Sequence, residues 1–346
     1  MSAAGKVKNP LRVLVPVHED LLPPDSIDGL SDEEIQPWKT EFDVIATLRN
    51  LGHEVYPVGV YDNLAGIRRA IREFKPHIAF NLLEEFHGDS LYDQHMVSYL
   101  ELQRLPYTGC NPRGLTLSHD KALCKKILAY HRIPVPHFAE FPLNRKVRRP
   151  SRLEFPLIVK SLTEEGSVGI SRASIVYDDD KLKERVSFIH RQTQGAAIAE
   201  QYIEGREIYV AVLGNNQLRT FTPWELFISN LPEGAPLIAT GQVKWNYKYQ
   251  KKAGVMTSAA KLTAEQRSTL ERLSKRIYRN LYLSGYARLD FRLDANGNFY
   301  LLEANPNPNL SYGEDFAEAA EHDGMDYPDL LQKLITLGLG YHKAAA

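Results

Sequence analysis

Apolar positions in the first third of the chain alternate between strand-like runs and helical spacing. "LRVLVPV" (11–17) is β-rich, and residues 37–52 then carry Val44, Leu48 and Leu51, with Ile45 beside them, at helical intervals. "EVYPVGV" (54–60) predicts a second strand, "NLAGIRRAIREFK" (63–75) a helix, and "HIAFNLL" (77–83) a third strand. A helix through 90–104 leads to the short strand "PYTG" (106–109). This βαβαβαβ order argues for a small open parallel sheet with helices on both faces. Ligands of such sheets collect at the carboxyl ends of the strands. "HED" (18–20) and "EEFHGD" (84–89) follow two of those ends, so they are candidate substrate loops, with plain polar loops as the alternative.

The rhythm changes after residue 112. Ser118 is placed to cap a helix through "HDKALCKKILAYH", whose Leu123, Ile127 and Tyr130 share one face. "IPVPHFAEFP" (133–142) reads as a proline-bounded linker and strand, followed by the strand "PLIVKS" (156–161). A Gly/Ser loop, "EEGSVGIS" (164–171), and a helix over 179–193 come next. From "AAIAEQYIEGREIYVAVLG" onward the strands are longer and antiparallel in character. One amphipathic helix (263–283) interrupts them, opened by a Thr263…Gln266 capping box. Three units follow from this pattern: 1–112, 113–196 and 197–346.

Composition narrows the class. The 346 residues suffice for two or three domains, and 43% apolar with 25% charged content is ordinary for a globular protein. Lys+Arg 42 against Asp+Glu 43 gives no net charge that would point to nucleic acid or an anionic membrane. Cys110 and Cys124 form neither a metal-type cluster nor a disulfide framework, which suits a reducing cytosol. No apolar signal region precedes Leu11 and no run of about 18 apolar residues occurs. The expectation is a cytoplasmic enzyme.

The most informative stretch is "ARLDFRLDANGNFYLLEAN" (287–305). Asn296-Gly297 predicts a two-residue type I′ turn. That turn sets Asp290 opposite Glu303 and Arg288 opposite Asn305, all on one face, with Phe299 and Leu301 beside them. Two carboxylates directly across an antiparallel pair repel, and a cation between them removes the conflict. Asp290, Glu303 and the Asn305 amide oxygen are hard ligands of the kind Mg²⁺ accepts. Arg288 adds a fixed positive charge for a phosphate or a developing oxyanion. The alternative is a solvated outer face balanced by Arg292 and nearby lysines.

Three further segments are phosphate or nucleotide candidates. "VKSLTEEGSVGIS" sets Lys160 at a strand end before a loop with Gly166, Ser167 and Gly169, whose amides could wrap phosphate oxygens, though a hairpin turn fits equally. "AEQYIEGREIYV" flanks a short connector with Glu200 and Glu207, suited to an adenine amino group and ribose hydroxyls or to nothing beyond an acidic loop. "GQVKWNYKYQKKAG" gathers Lys244, Lys248, Lys251 and Lys252, either as a solvated basic loop or as a mobile lid over polyphosphate. His18, His87 and His95 are too scattered for a metal site, and no catalytic triad is evident.

Taken in order, these parts resemble the ATP-grasp superfamily, in its D-alanine–D-alanine ligase branch. "LPYTGCNPRGLTLSHDKALCKKIL", "FPLIVKSLTEEGSVGIS", "EQYIEGRE" and "ARLDF…LLEAN" carry the resemblance, which is best from about 87 to 309. It implies ATP held between two α+β subdomains (113–196 and 197–346) behind a Rossmann-like N-terminal domain (1–112). By resemblance, Lys121 and Lys160 would contact the ATP phosphates, and Gly166, Ser167 and Gly169 would cover them. Glu200 and Tyr202 would meet adenine, Glu207 the ribose, and Lys248 the phosphates from the lid. Asp290, Glu303 and Asn305 would hold two Mg²⁺ ions, with Mn²⁺ as a substitute. Arg288 would sit beside the tetrahedral intermediate.

Departures from the family pattern fall on the substrate side, where His18, Glu19, His87, Asp93 and Ser311 are the candidate residues. The first loop reads "VPVHEDLLPP", the family's His-Gly-x-x-Gly-Glu-Asp-Gly appears only as "HGDSLYDQ", and "PNPNLSYGED" replaces Thr-x-Pro-Gly after Asn305. The implied activity is an ATP-dependent carboxylate–amine ligase working through an acylphosphate on small-molecule substrates, amino acids foremost, and the branch's habit suggests a homodimer. A nucleotide-binding sensor without turnover and an ATP-grasp kinase are the rival readings.

Overall fold

The computed structural model of the protein describes residues 7–164, 170–230, 236–241, 243 and 246–345. Its N-terminal unit rests on three parallel strands, β1 (Arg12–His18), β2 (Glu54–Val60) and β3 (Ile78–Ala79), in the order β2-β1-β3. Helices α1 (Asp32–Ile35), α2 (Lys39–Asn50), α3 (Ala65–Glu73) and α4 (Asp93–Leu102) accompany them. Residues 13–17 of β1 are all buried, which is why this strand reads as an unbroken apolar run rather than an alternation. The expected third strand is cut to two residues, and the expected fourth contributes one parallel bridge, Ala79↔Tyr107. Pro16 explains part of this: Leu82 N–H donates to its carbonyl, but Pro16 has no N–H to return.

The middle unit begins with α5 (Pro112–His119) and α6 (Lys121–Tyr130). The expected Ser118 cap is corrected here. Asn111 caps α5 with Pro112 at its first position, so Ser118 lies inside that helix, and Asp120 caps α6 by accepting the Leu123 N–H at 2.8 Å. Strands β4 (Phe138–Phe141), β5 (Leu157–Ser161), β6 (Ile175–Val176) and β7 (Ala197–Gln201) form an antiparallel sheet in the order β4-β7-β5-β6, backed by α7 (Asp179–Thr193). Because β7 belongs to this sheet, the chain crosses to the next one at 202–205, a little beyond 197.

The last unit holds β8 (Arg206–Leu213), β9 (Arg219–Thr220), β10 (Trp224–Ile228), α8 (Tyr247–Ala253) and β11 (Val255–Ala259). It continues with α9 (Ala264–Asn280), β12 (Tyr286–Leu293), β13 (Phe299–Asn305), α10 (Asp315–His322) and α11 (Tyr327–Ala345). The sheet runs β11-β10-β8-β12-β13, with β9 on β8. The Thr263–Gln266 capping box opens α9 as the sequence predicts.

One face of β12 and β13 packs Leu289, Phe291, Phe299 and Leu301 against Leu270, Leu273 and Ile277 of α9. Helix α11 returns to the first unit, where Leu330, Leu334 and Ile335 join Val13, Val15 and Val44 in one core. The first and third units therefore share a core, while the middle sheet and α7 have their own. Among the described residues no helix is long and apolar enough to cross a membrane.

Glu41, in the first turn of α2, is buried, and lost hydration pushes its carboxyl from 4.5 up to about 7. A raised acid binds its proton more tightly in the folded chain than in the unfolded one. Stability should therefore fall as pH rises from about 4.5 and level off above about 7. Glu41→Gln is expected to flatten that slope, read as urea midpoints on either side of the window; an unchanged slope would assign it to another group.

Candidate active site

The β12/β13 ribbon pairs Asp290 with Glu303 and Arg288 with Asn305, as expected, but by a different route. The type I′ turn does not form. Asp294 accepts the Gly297 N–H at 3.1 Å and donates its own N–H to the Asn298 carbonyl at 3.0 Å, and of the central pair only Gly297 takes a positive φ, 86°. Asp294 Oδ1 accepts the N–H groups of Asn296 and Asn298, an acidic brace that favours this longer turn. The register near the turn is consequently one residue off, with Phe291 opposite Leu301 and Leu293 opposite Phe299. A bulge between Asp290 and Phe291 restores it, Leu302 being the extra residue. Phe299 and Leu301 are thereby turned to the α9 core rather than to the carboxylate face, which corrects the expectation that they share it.

The bulge takes Leu302 out of the regular ladder. Its carbonyl accepts the Lys125 ammonium at 2.5 Å, from a side chain fully buried on α6. The same ammonium lies 3.4 Å from Glu200 Oε1, and Lys160 Nζ lies 3.0 Å from that oxygen. Glu200, near the end of β7 and paired there with both β4 and β5, is 1% exposed, and its carboxylate serves two ammonium groups. Burial opposes the Glu200 charge, but Lys125 and Lys160 outweigh it and hold its pKa below the ordinary value. Burial lowers Lys125 despite Glu200, whereas for Lys160 the attraction of Glu200 and Glu303 exceeds the burial cost and raises it. Lys121, at the start of α6, donates to the Glu164 carbonyl at 2.7 Å and sits 3.8 Å from Glu303 Oε1. It thus spans the entry to the glycine loop and the ribbon. Gly166, Ser167, Gly169 and Lys244 lie outside the described residues.

Arg288 forks Asp290, donating to its two oxygens at 2.8 and 3.0 Å, and lies 3.8 Å from Asp315. Burial works against its charge, but Asp290 more than compensates and holds it well above its ordinary value. Register across β8 and β12 places Tyr209 beside Asp290 and Glu207 beside Arg292. Glu207 accepts the Tyr209 hydroxyl at 2.9 Å and Arg292 Nη2 at 3.0 Å. The Tyr202 hydroxyl donates to the Leu237 carbonyl at 3.4 Å. Lys248 is exposed on α8 and pairs with Glu33 of α1 at 3.2 Å, so it is not gathered with the other lysines. The Asn305 side-chain oxygen accepts the Asn307 N–H at 3.0 Å, which orients it.

The donor set of Asp290, Glu303 and Asn305 fits a hard divalent cation such as Mg²⁺: two carboxylates opposed across a ribbon and an amide oxygen already turned by its own chain. Lys125, Tyr209 and Arg292 contact the candidate groups directly, and the sequence pattern either passed over them or offered them as balancing charge. Lys125 had a usable signal, since it lies one helical turn after Lys121 on the same face.

The substrate-side candidates divide into two groups. His18 Nε2 is 3.2 Å from Glu85, and the His18 ring meets Tyr61, which stacks on His87. Glu19 follows in an exposed turn. These residues share the carboxyl edge of the parallel sheet. Asp93 and Ser311 do not line an open loop. Asp93 is 1% exposed, pairs with His119 at 2.8 Å and accepts the Asn307 side-chain amide at 3.3 Å. Ser311 is buried, with its hydroxyl 2.6 Å from that of Thr40 on α2. Both tie the loop after β13 to other elements, so their visible work is to position that loop.

A family model described as D-ala D-ala ligase C-terminus matches residues 127–336. The chain is 31% identical over 314 residues to a D-alanine–D-alanine ligase of Desulforudis audaxviator, covering 89% of this chain and 95% of that one. An uncharacterized protein of Sinorhizobium fredii is 30% identical over 87% of this chain and 88% of its own. Among solved structures, the D-alanine–D-alanine ligase from Bacillus anthracis complexed with ATP superposes with a TM-score of 0.74 at 23% identity, over 97% of this chain and all of that one. VanG D-Ala:D-Ser ligase from Enterococcus faecalis superposes at 0.68 and 18% identity, over 95% of this chain and 100% of its own.

Lys125→Met leaves the Leu302 carbonyl without its donor and Glu200 with one cation instead of two. Breaking a buried charged network in this way costs about 3 kcal/mol or more. Urea unfolding is expected to show that loss; a change under about 1 kcal/mol would mean that the Lys125 contacts contribute no more than exposed ones.

Proposed function

The chain belongs to the D-alanine–D-alanine ligase family of the ATP-grasp superfamily, and on that premise we propose that it is an ATP-dependent ligase joining a small carboxylic acid to an amine. The observation that carries this reading is the opposition of Asp290 and Glu303 beside the Asn305 amide, with Lys121 reaching Glu303 from the phosphate side. In the proposed reaction a substrate carboxylate oxygen bonds to the γ-phosphorus of ATP and ADP leaves. The amine nitrogen, entering as the free base, then bonds to the acyl carbon, and phosphate leaves with the proton released.

Asp290, Glu303 and Asn305 would hold the divalent cations, two Mg²⁺ with Mn²⁺ able to substitute, and these supply charge neutralisation at the phosphoryl oxygens. Lys121 and Lys160 bind the phosphates, and the Gly166–Gly169 loop with Ser167 covers them. Glu207 takes the ribose hydroxyls and Tyr202 the base. Glu200 acts on the nucleotide through its hold on Lys160. Arg288, whose guanidinium forks Asp290, is the cation available to the oxyanion at the acyl carbon. Lys248 reaches the phosphates only if α8 gives up its contact with Glu33, a surface pair worth about 1 kcal/mol at most. Water must be kept from the acylphosphate, which gives the α8 segment its purpose.

The acid-binding side is proposed at the His18, Glu19, Tyr61, Glu85 and His87 edge. Its chemistry departs from the family pattern, so amino acids other than D-alanine are proposed as substrates alongside it. The proposed enzyme is cytoplasmic, acts on small molecules and follows its branch in forming homodimers.

Purified protein with Mg·ATP and pairs of amino acids or small acids, D-alanine alone first, should release ADP and phosphate in equal amounts with a ligated product by mass spectrometry. Absence of ADP release from every pair would overturn the reading, and a phosphorylated product without free phosphate would favour a kinase. Asp290→Asn is expected to cut turnover at least about a hundredfold and to weaken the response to Mg²⁺; turnover with an unaltered Mg²⁺ dependence would remove Asp290 from the metal site.

A further inference from the structure

Arg292 takes no part in the phosphate or metal chemistry, yet it is 3% exposed and lies two residues beyond Asp290 on the same face of β12. Its guanidinium makes three contacts to three parts of the chain. Nη2 donates to Glu207 on β8, and Nη1 donates to the Gly205 carbonyl at 3.1 Å and the Leu237 carbonyl at 3.2 Å. Gly205 belongs to the crossing between the two antiparallel sheets, and Leu237 to the segment 236–241 that precedes α8. The Tyr202 ring lies 5.9 Å from the guanidinium, and its hydroxyl shares the Leu237 carbonyl. The third nitrogen, Nε, is buried without a partner among the described residues.

Glu207 is the group this arrangement acts on. Tyr209 donates to Oε1 and Arg292 to Oε2, one donor on each oxygen. A carboxylate offers about four lone-pair sites, so one on each oxygen remains open while the two donors fix the plane between them. Two acceptors at carboxylate spacing suit two adjacent hydroxyls. A planar fork sets that orientation, whereas a lysine at this position would supply charge without it. Removing Arg292 would also leave Glu207, itself 5% exposed, without its buried counter-charge.

We propose that Arg292 is a specificity-determining positioning residue, which aims Glu207 at the paired ribose hydroxyls of the nucleotide and joins that contact to the Gly205 crossing and the segment leading to α8. The inference rests on the reading of Glu207 as the ribose acceptor. It predicts that selectivity for a ribonucleotide over its dideoxy analogue depends on Arg292.

The test measures binding of ATP and 2′,3′-dideoxyATP, with Mg²⁺, to the full-length protein and to Arg292→Met, Arg292→Lys, Glu207→Gln and the Arg292→Met/Glu207→Gln double variant. Arg292→Met should weaken ATP about ten- to hundredfold, the range of a hydrogen bond to a charged group, and weaken 2′,3′-dideoxyATP far less. Arg292→Lys should recover only part of the ATP affinity, and the double variant should bind ATP no worse than Glu207→Gln. Equal losses for the two nucleotides, or additive losses in the double variant, would overturn the proposal and reduce Arg292 to a structural residue. If the unsubstituted protein itself binds the two nucleotides equally, the ribose reading of Glu207 falls first, and the proposal with it. Were the unsubstituted protein and Arg292→Met to discriminate equally well, only the Arg292 proposal would fall.

Discussion

The conflict between Asp290 and Glu303 organises this molecule. Cβ atoms directly across an antiparallel pair stand about 5 Å apart, and at an effective dielectric of about 20 two unit charges at that distance repel by roughly 3 kcal/mol. The chain sets its own positive groups against both carboxylates. Arg288 forks Asp290 from the same strand, and Lys121 approaches Glu303 from α6. These are also the two cations that the proposed chemistry needs, one at the acyl carbon and one at the phosphates. The contacts that balance the two carboxylates of the ribbon therefore stand where the proposed chemistry would use positive charge.

The same economy recurs away from the ribbon. Lys125, Lys160 and Glu200 form a buried cluster with one more positive than negative group, and it joins α6, β5 and β7 to the bulge at Leu302. Arg292, Glu207 and Tyr209 form a second buried set joining β8, β12 and the crossing at Gly205. Buried charges of this kind persist only when paired and hydrogen-bonded, so each cluster fixes the relative position of the elements that supply it. Gly205 shows how tight the second junction is: it adopts φ 147°, and a Cβ there would lie 2.0 Å from the Leu293 carbonyl oxygen. The junction between the two antiparallel sheets is thus held by polar contacts among the groups proposed to meet phosphate, metal and ribose.

The candidate site was legible in proportion to how local its logic was. Asp290, Glu303 and Asn305 emerge from strand alternation and a turn, although the pairing was reached through two departures that cancel. The loop at Asp294–Asn298 shifts the register by one, and the bulge at Leu302 shifts it back. Asn-Gly specifies a tight turn, but it does not decide between forms that differ by one residue when an aspartate stands ready to bind the following amides. Asp93 and Ser311 show the opposite case. Their motifs look like exposed loop chemistry, whereas His119 and Thr40, far away in sequence, draw them inward.

What the sequence determined by itself is most of the strands and helices up to β13 and the pairing of Asp290 with Glu303. Both follow from short-range rules: period two in strands, period 3.6 in helices, the Thr263–Gln266 capping box, and carboxylates that no ordinary strand end would carry. Tertiary structure decided which polar side chains are open and which are spent. Glu200 is claimed by Lys125 and Lys160, Glu207 is oriented by Arg292 and Tyr209, and Ser311 is closed off by Thr40. Each of these outcomes depends on a partner from another element. A buried charge has to find its counter-charge wherever the fold brings one within about 3 Å, and no local pattern encodes that meeting.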